Sequence, residues 1–148
     1  MIFPAALLTA RMDMELNRNG ISVKADATRL AQVFDNLLVN AVKYAPGAQI
    51  KITLDVIDRQ AHVMVRDTGP GIPPEHLDRL FQRFYRVPGT SASARGTGLG
   101  LYICRQLMNA HNGEITVESR VGVGTTFHIY LPIQLAQPES VKTQEIIQ

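Results

Sequence analysis

Asn36, Asn40 and Lys43 stand at i, i+4 and i+7, a spacing that on a helix lays two carboxamides and one ammonium along a single stripe. A carboxamide oxygen is a hard, neutral ligand for Mg2+, and a lysine is a compact charge for phosphate. A solvated helix flank would carry the same residues, so the stripe alone decides nothing. Asp67 precedes Gly69 and Gly71. A carboxylate at a strand end can accept from an exocyclic amine, and glycines beside it let the backbone approach a flat base; an ordinary Asp-Thr-Gly turn is the alternative. Gly96-Thr97-Gly98-Leu99-Gly100 looks like a dinucleotide fingerprint, but that fingerprint needs a strand immediately before it, and Pro88–Ala94 reads as a loop. A P-loop is excluded, because no Gly-Lys-Ser/Thr occurs. What remains is a glycine-rich turn opening a helix, whose free N–H groups and positive dipole end suit phosphate. Arg86 and Arg95 flank the loop, and guanidinium groups can fork onto phosphate oxygens; surface arginines are the plainer reading.

The elements that must position these groups follow from periodicity. Met12–Leu16 and Ile21–Lys24 flank Asn17-Arg18-Asn19-Gly20, the signal of a hairpin. Leu30, Val33, Phe34, Leu37, Leu38, Ala41, Val42 and Ala45 step by three and four, predicting a helix that Asp26 or Thr28 caps and Pro46-Gly47 ends. Ile50–Ile57 and His62–Arg66 read as strands joined at Asp58–Gln60. Pro73-Pro74-Glu75 predicts a short helix ending near Tyr85. Leu99–Ala110 reads as a second amphipathic helix closed by Asn112-Gly113, with Leu99 and Leu101 on its core side. Glu114–Ser119 and Thr126–Leu131 alternate as strands around Gly122–Gly124. Helices alternating with hairpins predict an α/β sandwich, one mixed sheet of five strands under three helices.

Composition bounds the rest. The 148 residues fit one domain with a core of its own. A net charge of +2 gives no argument for nucleic acid or for a membrane surface. The single Cys104 excludes an internal disulfide framework and suits a reducing compartment. No run reaches the ~18 apolar residues of a membrane span. Residues 1–11 read as a linker or the end of an upstream helix, 12–133 as the domain, and 134–148 as a disordered tail. No zinc-spaced His/Cys cluster and no Gly-x-Ser-x-Gly elbow is present.

In order and spacing, Asn36–Tyr44, Asp67–Ile72, Arg95–Leu101 and Gly122–Phe127 resemble the N, G1, G2 and G3 boxes of the ATP-binding domain of two-component sensor histidine kinases, within the gyrase/Hsp90/histidine kinase/MutL superfamily. Leu80–Arg86 resembles the F box, which the gyrase and Hsp90 branches lack. The resemblance covers residues 20–132 and implies a Bergerat-type ATP-binding fold with ATP and Mg2+ as cofactors. It implies Asn40 as the magnesium ligand, with Asn36, Lys43 and Tyr44 near the nucleotide. It implies Asp67 as acceptor for the adenine amino group, assisted by Gly69, Gly71, Ile72 and, through water, Thr126. Arg95, Gly96, Thr97, Gly98, Leu99, Gly100 and Leu101 would face phosphate, and Val87–Arg95 would be the ATP lid. Asn36, Lys43, Arg86 and Arg95 would serve transfer, the two arginines at the γ-phosphate. Phe81 and Phe84 would anchor the lid.

The resemblance also separates this chain from hydrolases. ATP-hydrolysing branches carry a water-activating Glu four residues before the magnesium Asn, where this chain has Asn36, and a carboxamide cannot accept the proton. Asp35 is turned ~100° away on a helix. His62, His76, His111 and His128 each lack the acidic, Arg and Pro surroundings of a phosphoacceptor, and all four read as structural. The implied function is donation of the γ-phosphate to a histidine on a separate dimerisation domain, with a response regulator downstream and no nucleic-acid or membrane contact. The implied setting is cytoplasmic, with any membrane anchor elsewhere in a longer protein, and the isolated domain is expected to be a monomer. A serine kinase of the anti-sigma type would lack the F box, a non-catalytic module would lack lid or magnesium residues, and an ATPase would want Glu at position 36.

Overall fold

A computed structural model describes residues 11–17, 20–88 and 98–134. The first long helix, α1 (Ala27–Tyr44), starts where the Asp26 carboxylate accepts from the Thr28 and Arg29 N–H groups, satisfying donors that have no partner within the helix. Its apolar positions Val33, Leu37 and Ala41 are buried. Full burial of Leu37 stabilises the fold by roughly 1.5–3 kcal/mol relative to exposure.

Five strands form one mixed sheet: β1 (Arg11–Leu16), β2 (Gln49–Ile57), β3 (Gln60–Asp67), β4 (Glu114–Arg120) and β5 (Gly124–Pro132), in the order β1-β2-β3-β5-β4. The β2–β3 turn is two residues long, with Asp58 and Arg59 both at positive φ, matching the twist of the strands it joins. β1 differs from the expected hairpin. It runs parallel to β2, Met12 opposite Ile50 and Met14 opposite Ile52, while among the described residues the 21–24 segment makes one isolated bridge, Val23–Ile133. Met12, Met14 and Leu16 remain 40%, 68% and 55% exposed.

Two further helices are α2 (Pro74–Leu77) and α3 (Gly100–Ala110). The helix expected to run to Tyr85 therefore stops at Leu77. Beyond it the chain turns, and Leu80 and Phe81 enter the core. α3 closes as expected: Asn112 takes φ 56 and the Gly113 N–H returns to the Met108 carbonyl. α1 and α3 pack on the sheet face carrying Ile50, Val65, Ile115, Phe127 and Ile129. The end of α3 meets the start of α1, where the Asp26 N–H donates to His111 Nε2 at 3.1 Å. The opposite face carries His62, His128 and Tyr130, whose rings stack. Among the described residues, no helix is long and apolar enough to cross a membrane.

Candidate functional site

α1, the end of β3 and the start of α3 meet around a cavity of about 290 Å3. Asn36, Asn40 and Lys43 all line it, the convergence that the helical stripe predicts, and Tyr44 lines it beside them. Asn36 does more than face the cavity. Its Nδ2 donates to the Gly100 carbonyl at 3.4 Å, and its carboxamide also meets the Cys104 thiol. A Cβ on Gly100 would sit 3.9 Å from the Asn36 carboxamide carbon, an ordinary contact distance. Cys104 donates to the Val33 carbonyl at 3.7 Å, and burial pushes its thiol up to about 11. It is core, as expected, and stays protonated at neutral pH.

Asp67 is the buried carboxylate of the cavity. Its Oδ1 accepts from the Gly69 N–H at 2.9 Å. Burial raises its pKa, and backbone hydrogen bonds from Gly69 and Thr125 pull the other way. The loop after it is pinned on both sides: the Gly122 N–H donates to the Pro70 carbonyl at 2.8 Å, and the Ile72 N–H to Ser119 Oγ at 2.7 Å. Gly71 has φ +77, and a Cβ there would collide with the Arg120 carbonyl. Glycine is required for the loop to lie this close to the β4–β5 turn. Gly71 and Ile72 line the cavity, whereas Gly69 serves the Asp67 carboxylate.

Gly98, Gly100 and Leu101 line the cavity at the start of α3. Among the described residues no side chain caps that helix, and the N–H groups and positive dipole end of a helix start suit an anion. Leu99 is the capping residue and does not line the cavity. Arg86 does. Arg95, Gly96 and Thr97, with most of the expected lid Val87–Arg95, lie outside the described residues. Phe81 is buried and meets Phe127 edge-on at 6.4 Å. Phe84, also expected as an anchor, is instead 59% exposed, with the Arg83 guanidinium 4.9 Å from its ring centre.

Thr126 pairs with Arg66 and is not among the cavity residues. Thr125 takes that place, buried opposite Asp67, with its Oγ1 2.7 Å from Ser119 Oγ. Strand parity carried the signal: Thr125 shares a face with core residue Phe127, and Thr126 shares the other with His128. Sequence reasoning also missed the apolar lining from Val39, Ala41, Ala45, Leu80 and Tyr85; the periodicity of Ala41 and Ala45 marks core and not cavity.

Residues 25–135 match the family described as Histidine kinase-, DNA gyrase B-, and HSP90-like ATPase. The chain is 46% identical over 109 residues to Sensor protein SrrB of Staphylococcus aureus (strain NCTC 8325 / PS 47), an overlap of 72% of this chain and 19% of that relative. It thus spans about a fifth of the curated relatives it matches, 19% in each of the strains compared. Among solved structures, it is similar to mycobacterial sensor histidine kinase MprB, with TM-score 0.73, 33% identity and coverage of 84% of this chain and 86% of that one. It is also similar to full-length ShkA in complex with AMPPNP, with TM-score 0.74, 29% identity and coverage of 86% and 26%. The catalytic domain of histidine kinase ThkA aligns with TM-score 0.71 and 34% identity over 83% of this chain and 78% of that one.

Proposed function

Because this chain belongs to the histidine kinase-, DNA gyrase B- and HSP90-like ATPase family, as the ATP-binding catalytic domain of a sensor histidine kinase, we propose that it binds ATP with Mg2+ and presents the γ-phosphate to a histidine on another domain. The observation that carries this reading is the convergence of Asn36, Asn40, Lys43, Asp67 and the uncapped start of α3 on one cavity. Asp67 accepts from the adenine amino group while Leu80, Leu101 and Phe127 supply apolar contact for the ring. Lys43, Arg86 and the α3 N–H groups face the phosphates.

The donor set fits magnesium held chiefly through phosphate oxygens. Asn40 offers one neutral oxygen, and among the described residues no group of three His, Cys, Asp or Glu could hold a metal unaided. When bound, the ion would neutralise charge shared between β- and γ-phosphate oxygens. In transfer, the bond from Pγ to the β–γ bridging oxygen breaks as a bond to the acceptor imidazole nitrogen forms, and ADP leaves with the bridging electron pair. Lys43 and Arg86 hold the charge that develops on these oxygens. Asn36 has no proton-accepting carboxylate to activate water and is already donating to Gly100, which favours transfer over hydrolysis.

The partners are a dimerisation and histidine phosphotransfer domain, in cis or in trans, and a downstream response regulator. The working side is the cytoplasm, with any membrane anchor in other parts of a longer protein. A calorimetric titration with ATP and Mg2+, followed by addition of a histidine-bearing acceptor domain, tests the reading. Saturable binding without steady hydrolytic heat, then labelling of the acceptor, is the expected result; steady heat without labelling would replace it with an ATPase. Asn40→Ala should weaken Mg-dependent ATP binding about tenfold or more, equivalent to ~1.4 kcal/mol. Unchanged affinity with and without Mg2+ would remove Asn40 from the site.

A further inference from the structure

The imidazole of His76, in α2, meets the Tyr85 hydroxyl through Nδ1 at 2.6 Å, with the rings 6.2 Å apart and tilted. Both residues are half-buried. This bond closes the turn-rich segment between α2 and the cavity, and Tyr85 is the residue immediately before Arg86. The rest of that segment is fastened elsewhere. Leu80 and Phe81 are in the core, and the Phe84 N–H donates to the Gly98 carbonyl at 2.8 Å, with Phe84 at φ 65 and Gly98 at φ +76. A Cβ on Gly98 would sit 2.6 Å from the Phe84 carbonyl carbon, so the two strands of chain touch backbone to backbone. Tyr85 is thus held through its side chain immediately before Arg86. Tyr85, Arg86 and Val87 all line the cavity.

We infer that His76 is a positioning residue for the phosphate end of the site: by holding the Tyr85 hydroxyl it orients Arg86 toward the terminal phosphate of the bound nucleotide. This deepens the nucleotide-binding reading above and rests on it. A long guanidinium side chain loses rotamer freedom when it engages an anion, and a backbone already fixed at its root reduces that loss. ATP and ADP differ only in the group Arg86 would reach, so the effect of His76 belongs to ATP alone.

The test measures ATP and ADP affinities by calorimetry in Mg2+ for the wild-type chain, His76→Phe, His76→Asn, Tyr85→Phe and the double variant His76→Phe/Tyr85→Phe. Loss of one neutral hydrogen bond should weaken ATP about fivefold with ADP unchanged, for His76→Phe and Tyr85→Phe alike. The double variant should be no worse than either single one, because both remove the same bond. Asparagine keeps a hydrogen-bonding atom near the position of Nδ1, so His76→Asn should restore ATP affinity. Equal losses for ATP and ADP, or an Asn variant no better than Phe, would overturn the inference and leave a merely structural role. If His76→Phe fails to fold, Tyr85→Phe and His76→Asn decide in the same way. A wild-type chain that binds neither nucleotide would instead overturn the nucleotide-binding reading itself.

Discussion

At the scale of single residues, Asp67 shows how a binding group can sit in the fold at a cost. Burial raises its pKa above the ordinary carboxylate value of 3.8, so the folded state takes up its proton more readily than the unfolded chain. The sign follows: ionised Asp67 opposes folding above its folded pKa, and that opposition fades as pH falls through it. A donor arriving at the carboxylate relieves the same cost, which is what the adenine amino group would do. Asp67→Asn should therefore weaken ATP by roughly 1–3 kcal/mol and narrow its preference over GTP, since a carboxamide can donate as well as accept. Competition of ATP and GTP for the variant measures this; unchanged discrimination would remove the adenine role. Much of this scale was legible. Asn36, Asn40 and Lys43 share a stripe that geometry carries straight into the cavity, and Tyr44, named by the resemblance, lines it too. Thr125 was not, because choosing between adjacent threonines needs the pairing register, and register depends on partners distant in sequence.

At the scale of elements, local signals succeeded and long-range pairing failed. α1 announced itself through period and cap, and β2–β3 through a two-residue turn. The partner of β1 could not be read, because Met12 pairs with Ile50 across the whole of α1, while Asn19-Gly20 imitates a hairpin turn. The short α2 was overrun because Leu80 and Phe81 are placed by the core and not by helix period. Two predictions belong here. Gly71→Ala forces a side chain into φ +77 and against Arg120, so it should destabilise the domain by about 1–3 kcal/mol, read as a lower midpoint in urea. The second concerns β3 and β5, tied on their outer face by His62 Nε2 and His128 Nδ1 at 2.8 Å. Among the described residues His62 Nδ1 and His128 Nε2 lack hydrogen-bond partners, and Glu118 stands 3.6 Å from the latter. Burial first, then His128, lowers the pKa of His62 below 6.5, against the pull of Asp55 and Glu118. The neutral ring is the folded form, so its stability contribution is complete above pH 6.5 and declines as pH falls toward the folded pKa. His62→Gln should flatten that part of the stability profile, measured by denaturant midpoints across pH; an identical slope would show that other groups cause it.

At the scale of the whole molecule, the site sits where the sheet and both longer helices meet, and among the described residues the opposite margin is uncovered. β1 lies at the end of the sheet order, and among the described residues β2 is its only strand partner. Lys51 and Glu15 make an ion pair of 2.7 Å across those two strands, both half in water and worth little. On the other side of the same strand Met12, Met14 and Leu16 are exposed. Such a margin is a template: its outward N–H and C=O groups can be extended by another chain, and the apolar side chains beside them reward it. The consequence concerns handling and crowding more than catalysis. Solutions of this domain should scatter more light as concentration rises, at a rate unaffected by nucleotide, because the cavity is built from other elements. Met14→Lys, a charge placed on the solvent side of the margin, should suppress that self-association without moving ATP affinity. Sedimentation at several concentrations would read it, and equal sedimentation of the two proteins would show that association, if any, begins at another surface.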